Sequence, residues 1–548
     1  MANNQENDVP VNGSMRMAGW SQKQETDYNA IIGGEKSMFE GLNISRQVWK
    51  EEYGDVAPRD PAIELELFGE QDGQQQRAGL DFSRISEISV TQEGTEKLEP
   101  ITSFSTAGLH DVVIENLKLA GYVSPTPIQK YTIAAMMKGY DVIGVAQTGS
   151  GKTAAYLLPI LSKLMGKAKK LAVNRAKPSV LNPGGNSVRA EPLVLIIVPA
   201  RELAVQIFKE ARKFSYRSML RPCVVYGGPR VTDNIEDLQQ GCDILVGTPG
   251  RLLDLMYRPN ILSFNRLKYI VIDEADEMLH NDWDDNLRSL LSGGQQDEGG
   301  INYCLFSATF PKQFREIARE YLNADHIRLR VGRAGSTTKN IQQTIIRVEK
   351  DEKFKKLLSL LNDMSGYRTI IFCNRRMEVD NLDYQLFTMG LPVTSTHSDR
   401  TQLERELALR SFRSGVSPIL IATGVMARGI DVQNIMHVIN YDMPSMEFDG
   451  IDEYTHRIGR TGRMGHRGLA TSLYTDDDEP IASVLTRTLM ETNQEIPEFL
   501  QEYVPEGMSG NNVKFEDDSD SDENGNTEVG ANSTTWGTNG ERTNSGEG

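Results

Sequence analysis

The feature that most constrains this chain is a double series of short apolar runs. In the first series, residues 142–146, 193–198, 244–247, 269–272 and 303–306 are separated by amphipathic stretches long enough for helices. A second series follows at 369–373, 392–396, 419–422, 437–440 and 470–474. Runs that are apolar throughout fit strands covered on both faces, and strands alternating with helices build parallel sheets. The expected fold class is α/β, with two tandem parallel-sheet domains flanked by helices and a cleft between them. At 548 residues the chain exceeds what one hydrophobic core supports.

Texture sets the boundaries. Residues 1–100 read as a mostly disordered extension, 101–332 as the first domain, 333–340 as a Gly/Ser/Thr-bearing linker, 341–504 as the second domain and 505–548 as a disordered acidic tail. Within the first domain, 167–190 reads as an inserted loop with six bases and no acid. It suits either a phosphate-backbone contact or plain solvation. In the extension, Trp20 and Trp49 fit linear-motif anchors or chance aromatics equally well. In the tail, Ser519 and Ser521 sit among acids as an acid-directed kinase prefers.

A formal charge of -17 argues at first against a nucleic-acid partner, since phosphate binding needs Lys and Arg. The acidity belongs to the ends. Residues 1–100 hold 19 acids against 9 bases and residues 515–548 hold 9 against 1, which leaves 101–514 at +1. No apolar run approaches the ~18 residues of a membrane span, so no membrane partner is expected. The start of the sequence lacks a basic segment leading into an apolar one, so a soluble, non-secreted protein is expected. Cys223, Cys242, Cys304 and Cys373 are scattered without metal-ligand spacing and read as buried reduced thiols.

Two stretches carry chemistry. Ala146-Gln147-Thr148-Gly149-Ser150-Gly151-Lys152-Thr153 follows a strand and opens an amphipathic helix. Glycines there let backbone N–H groups close around phosphate oxygens at a helix N-terminus, Lys152 reaches terminal phosphates and Thr153 suits Mg²⁺. Val271-Ile272-Asp273-Glu274-Ala275-Asp276 delivers carboxylates at the end of an apolar run. Alone it would fit a solvated loop. Beside a phosphate loop in the same sheet, Asp273 becomes the metal carboxylate and Glu274 the group that polarises attacking water.

Asp273-Glu274-Ala275-Asp276 spells the signature of the DEAD-box ATP-dependent RNA helicases, and the chain resembles that family over residues 104 to about 503. Further motifs come in the family's order: Pro125-Thr126-Pro127-Ile128-Gln129, Pro199-Ala200-Arg201-Glu202-Leu203-Ala204, Gly227-Gly228, Thr248-Pro249-Gly250-Arg251, Ser307-Ala308-Thr309, Ala427-Arg428-Gly429-Ile430-Asp431 and His456-Arg457-Ile458-Gly459-Arg460-Thr461-Gly462-Arg463. The resemblance implies two RecA-like domains, with ATP and Mg²⁺ as cofactors and RNA as a largely sequence-independent partner. It implies that Gln129 reads adenine with Phe104 packed nearby, and that Gly429 and Asp431 help complete the nucleotide site. Arg460 and Arg463 would be arginine fingers, sharing one face of a helix by their three-residue spacing. Arg201, Gly228, Thr248 and Arg251 on the first domain, with Arg400, Gln402, Thr423 and Arg428 on the second, would hold RNA. Asp276, Ser307, Thr309 and His456 would couple hydrolysis to strand separation, with the contact of Asp276 left between the Ser307-Ala308-Thr309 motif and the second domain.

The stretch from Glu210 to Gly228 and the upstream Glu66-Leu67-Phe68-Gly69 resemble the Ded/Vasa-type branch, which implies roles in translation initiation or messenger-ribonucleoprotein remodelling, with translation-initiation or ribonucleoprotein partners through the termini. A cytoplasmic location follows, extending to the nucleus or ribonucleoprotein granules. Three positions depart from the family pattern: Ala200 in place of Thr, Ser398 in place of Gly and Gly424 where many members have Asp. Two rivals to an RNA helicase stand beside it, a nucleotide-gated RNA clamp with incidental turnover and a DNA helicase on the same core.

Overall fold

The structure, a computed structural model, describes residues 56–69, 90–147, 149–167, 171, 188–279, 284–292, 300–310, 312–332, 340–424, 432, 434–445, 450–462 and 467–504. The first sheet holds β1 (Val90–Glu93), β2 (Val142–Val145), β3 (Val194–Ile197), β4 (Pro222–Val225), β5 (Ile244–Gly247), β6 (Tyr269–Asp273), β7 (Asn302–Ser307) and β8 (Ile327–Val331). Its order is β1-β8-β2-β7-β6-β3-β5-β4, parallel throughout except for the antiparallel edge strand β1. The second holds β9 (Ile341–Arg347), β10 (Arg368–Cys373), β11 (Val393–Thr396), β12 (Ile419–Thr423), β13 (Ile435–Asn440) and β14 (Gly468–Tyr474). It is wholly parallel, in the order β11-β12-β10-β13-β14-β9. This is the expected pair of RecA-like α/β domains.

Each sheet is covered on both faces because successive side chains of a strand point to opposite sides. In the first sheet, Val142, Val194, Ile196 and Val271 join one core, while Ile143, Leu195, Ile270 and Ile272 join the other. In the second, Ile371 and Cys373 face away from Ile370 and Phe372 in the same way. Fully burying such an aliphatic side chain stabilises by roughly 1.5–3 kcal/mol, so the strands that position the loops are fixed by burial.

The first domain reaches further back than residue 101. β1 pairs with β8 from Val90↔Val331 to Glu93↔Arg328, and the helix Pro61–Phe68, capped by the Asp60 carboxylate, docks on the end of the helix Arg201–Phe214. The Asp60 N–H donates to the Tyr216 hydroxyl (2.8 Å), Arg212 pairs with Glu66 (2.8 Å) and Phe68 meets Tyr216 edge-on. β1 is four residues long and half-buries only alternate ones, and the helix, although mostly apolar, is a single eight-residue element with no fully buried side chain, so neither stands out from the polar extension. Trp20, Trp49, Ser519, Ser521, residues 333–339 of the 333–340 linker and most of the basic insert lie outside the described residues.

Candidate nucleotide and RNA site

Strand register brings the chemistry together. β2, β7 and β6 are neighbours, with Val145 level with Ser307 and Asp273 level with Phe306. The loop after β2, the Ser307-Ala308-Thr309 turn and the carboxylates therefore share the C-terminal edge of one sheet, where α/β folds bind ligands. β3, β5 and β4 continue that edge, with Ile197 and Val225 both level with Gly247. Arg201, Gly228 and Thr248 thus emerge beside one another.

Gly149 and Gly151 take φ of 80° and 94°, which a side chain would oppose. The helix Lys152–Gly166 begins with no side-chain cap, so its first N–H groups face the loop. Thr126 and Gln129 brace the loop from behind. The Thr126 hydroxyl donates to the Ser150 carbonyl (2.8 Å), and the Gln129 amide donates to the Gly151 carbonyl (3.1 Å) while its oxygen accepts the Thr126 N–H (2.9 Å). A Cβ on Gly151 would lie 2.5 Å from Gln129 Nε2. Gln129 thus spends one amide hydrogen and one oxygen lone pair within the chain, which leaves one of each. Phe104 packs edge-on against Tyr122 inside the core. Lys152 is buried and donates to the Ala146 carbonyl (2.7 Å). Ala146, Gln147, Ser150 and Thr153 complete the loop, and Thr148 lies outside the described residues.

Four buried carboxylates lie at and just after the end of β6: Asp273, Glu274, Asp276 and Glu277. Asp273 Oδ1 accepts the Glu274 N–H (3.0 Å) and Oδ2 accepts the Tyr156 hydroxyl (3.0 Å). Burial raises the Asp273 pKa even though Lys152 and the Tyr156 hydroxyl oppose the shift. Glu274 sits at φ 53°, a left-handed conformation unusual for a side-chain-bearing residue. Burial, then the Glu277 charge, push its pKa up to about 7, against the pull of Arg460 and Lys152. Asp276 behaves oppositely. Burial acts to raise it, but His456, Lys152 and hydrogen bonds from Ser307 and Thr309 outweigh that and lower its pKa.

The open question about Asp276 resolves to both partners. Its Oδ2 accepts the Ala308 N–H (3.1 Å), the Thr309 N–H (2.9 Å) and the Thr309 hydroxyl (2.9 Å), and His456 Nε2 of the second domain stands 4.0 Å away. His456 Nδ1 also lies 3.2 Å from Glu277. Glu277 was not among the expected site residues, although its place four residues after Asp273 was a signal. Arg460 is buried, with its Nε donating to the His456 carbonyl (3.0 Å). The shared-helix-face placement of Arg460 and Arg463 is corrected. The helix Gly450–Ile458 ends before Arg460, which is therefore not on a helix face but in a turn closed by its N–H on the Arg457 carbonyl, ahead of Gly462 at φ 64°. Arg463, Gly429, Asp431 and Arg428 lie outside the described residues.

Of the expected RNA contacts, Arg201 and Gly228 come together with Gln402 across the two domains. Arg201 Nη1 donates to Gln402 Oε1 (3.1 Å), and a Cβ on Gly228 would lie 3.0 Å from Arg201 Nη1 and 3.4 Å from Gln402 Cβ. Arg405 reinforces the junction opposite Glu202 (3.7 Å). Arg251 is turned onto Asn234 and the Pro229 carbonyl, and Arg400 onto Asp380 (2.8 Å). Thr248 occupies the N-cap position of the helix Pro249–Met256 without a side-chain capping bond, and Thr423 ends β12.

The departures have local consequences. Ala200 stands at the N-cap of Arg201–Phe214 and supplies no capping bond. At Gly424 an added Cβ would fall 1.6 Å from Glu453 Oε1, because the Glu453 carboxylate fills that space to pair with Arg457 Nε (2.9 Å). Ser398 is exposed.

Among the described residues, no three of His, Cys, Asp and Glu converge as a ready-made metal cage. The donors fit Mg²⁺ nonetheless, since that ion is commonly held by one or two carboxylates, waters and substrate phosphates. Asp273 and Thr153 supply such donors, and buried Ser150 Oγ and Glu274 Oε2 have no hydrogen-bond partner among the described residues.

Two family models match the chain: DEAD/DEAH box helicase over residues 126–317 and helicase conserved C-terminal domain over 352–465, together more than half its length. Among solved structures, S. cerevisiae Dbp5 bound to RNA and ADP BeF3 is 27% identical, covering 71% of this chain and 93% of that one, with a TM-score of 0.60. A DEAD box protein from the hyperthermophile Methanococcus jannaschii is 30% identical over 72% of this chain and 98% of that one, with a TM-score of 0.41. RNA-helicase Prp28 from Chaetomium thermophilum bound to ADP is 29% identical over 76% and 95%, with a TM-score of 0.38. The phosphate loop and carboxylates of the first domain and the His456 segment of the second all fall inside the matched ranges, and the chain belongs to the DEAD-box family as an ATP-dependent RNA helicase.

Proposed function

We propose that this helicase grips RNA across its two domains when ATP joins them, and separates short duplexes locally by bending one strand. The observation that carries this reading is the meeting of the two domains on the carboxylate edge: His456 reaches Glu277 and Asp276, while Arg460 lies close enough to Glu274 to oppose the rise in its pKa. Residues from both sheets are needed at one site, so hydrolysis depends on domain closure.

In this reading the 149–153 loop cradles the phosphates, with Lys152 on the terminal ones. Asp273 and Thr153 hold Mg²⁺, which when bound neutralises developing phosphate charge. Glu274 polarises the attacking water, and a pKa of about 7 suits a general base at neutral pH. Arg460 supplies positive charge from the second domain, and Arg463 is assigned the same role from its motif. Gln129 both braces the loop and offers its remaining amide hydrogen to adenine. The Arg201–Gln402 contact marks the RNA path, since both residues lie where the domains meet. The contacts there are guanidinium, hydroxyl and backbone groups suited to phosphate and sugar, which read sequence weakly.

The Ded/Vasa-type features further suggest work in translation initiation or messenger-ribonucleoprotein remodelling, with protein partners through the termini, in the cytoplasm or also in the nucleus or granules. A short RNA duplex incubated with the protein should separate with ATP, and excess single-stranded RNA should compete far better than DNA. Equal competition by DNA would refute RNA specificity. Strand release that is equally fast with a non-hydrolysable analogue over repeated cycles would favour a clamp.

A further inference from the structure

The site contains a hydroxyl that the proposed catalytic roles do not use. Tyr156 lies one turn after Thr153 on the helix Lys152–Gly166, is wholly buried, and directs its phenol at Asp273 Oδ2 (3.0 Å). The ring is fixed from behind. It packs on Phe306 of β7 with centroids 5.2 Å apart and planes tilted by 40°. Phe306 fits there because residue 144 is glycine: a Cβ on Gly144 would lie 2.5 Å from two atoms of that ring. The phenol O–H is the donor in this bond and the Asp273 oxygen the acceptor.

Asp273 needs such a partner. It sits in a cluster of four buried carboxylates, where water is scarce and like charges favour rotation away from one another. A carboxylate offers about four lone-pair sites. The Glu274 N–H takes one on Oδ1 and the Tyr156 hydroxyl takes one on Oδ2, which fixes the group and leaves sites on each oxygen. Hydrogen-bond partners of this kind orient metal ligands and commonly set affinity by about 10–100-fold.

We infer that Tyr156 is a positioning residue that holds the Asp273 carboxylate in place for the divalent cation accompanying the nucleotide. The inference rests on the proposed assignment of Asp273 to that cation. Tyr156→Phe removes one oxygen and keeps the ring, so the packing on Phe306 survives. Binding of a fluorescent ADP analogue to the full chain, titrated with Mg²⁺, is the direct readout. Y156F should weaken the apparent Mg²⁺ affinity about tenfold, leave analogue binding in EDTA unchanged and keep the unfolding temperature near wild type. Phe306→Leu, which loosens the ring but keeps the hydroxyl, should shift the Mg²⁺ curve the same way by less. A Y156F curve that superimposes on wild type overturns the inference, as does a lowered unfolding temperature with unchanged Mg²⁺ dependence. Asp273→Asn separates the two levels: if it retains full Mg²⁺ dependence, the assignment of Asp273 itself is wrong.

Discussion

Gly424 offers a sharp test of how the second domain is built. The Glu453–Arg457 pair is almost wholly buried, with side chains 4% and 5% exposed and an Nε to Oε1 distance of 2.9 Å. A methyl group at 424 would stand 1.6 Å from Glu453 Oε1 and 2.8 Å from its carboxyl carbon, so Gly424→Ala must expel the carboxylate. Breaking a buried pair costs about 3–5 kcal/mol. Arg457 would still donate to the Asp442 carbonyl and to Asn374 Oδ1, both at 2.8 Å, which places the expected loss near the lower figure, about 3 kcal/mol. Gly424→Asp should lose less than Gly424→Ala, because its own carboxylate can replace the expelled one beside Arg457. The assay is urea unfolding of the full chain, with hydrogen exchange of the amides of Gly450–Ile458 to locate the effect. ATPase activity should fall in parallel, since that helix carries His456 and leads into Arg460. In a Glu453→Ala background the clash is absent, so adding Gly424→Ala should cost less than ~1 kcal/mol. A loss of 3 kcal/mol that persists without Glu453 would refute the reasoning, as would a harmless Gly424→Ala.

Two further substitutions act elsewhere. Ala200→Thr supplies the missing cap of Arg201–Phe214 and should stabilise the first domain by about 1 kcal/mol, a rise of roughly 2–4 °C in unfolding temperature by calorimetry. His437 is buried against Thr471, and burial lowers its pKa to about 4. With a folded pKa below the unfolded value, its contribution is complete above pH ~6.5 and is lost as pH falls towards 4. Between pH 7.5 and 5.5 this one residue should remove about 1.3 kcal/mol of stability, and His437→Gln should flatten that part of the pH profile in urea unfolding.

The central strands were legible because parallel strands buried on both faces are apolar at nearly every position, as in Val194–Ile197 and Ile419–Thr423. β1, β8 and β9 escaped because their polar residues alternate with more buried ones, and β4, although apolar throughout, escaped because it is only four residues long and opens on a proline. In β8, Arg328 pairs with Glu93 and lies over the Phe310 ring, contacts that only the assembled sheet provides. The phosphate loop and the carboxylates were readable as short local patterns, and strand register then placed them together. The braces were not readable. Tyr156 reaches a residue 117 positions away, and Glu277 meets His456 from the other domain. Nothing in the sequence alone shows that Glu453 occupies the space left by Gly424.

The account rests on Glu274 acting as the water-polarising carboxylate of an RNA-stimulated ATPase. The direct measurement is phosphate release by the full chain with and without RNA, for wild type and Glu274→Gln. RNA should accelerate the wild-type protein, and E274Q, which keeps shape and removes the charge, should lower the RNA-stimulated rate at least about 100-fold. Equal rates for the two proteins, or a wild-type rate indifferent to RNA, would contradict the account.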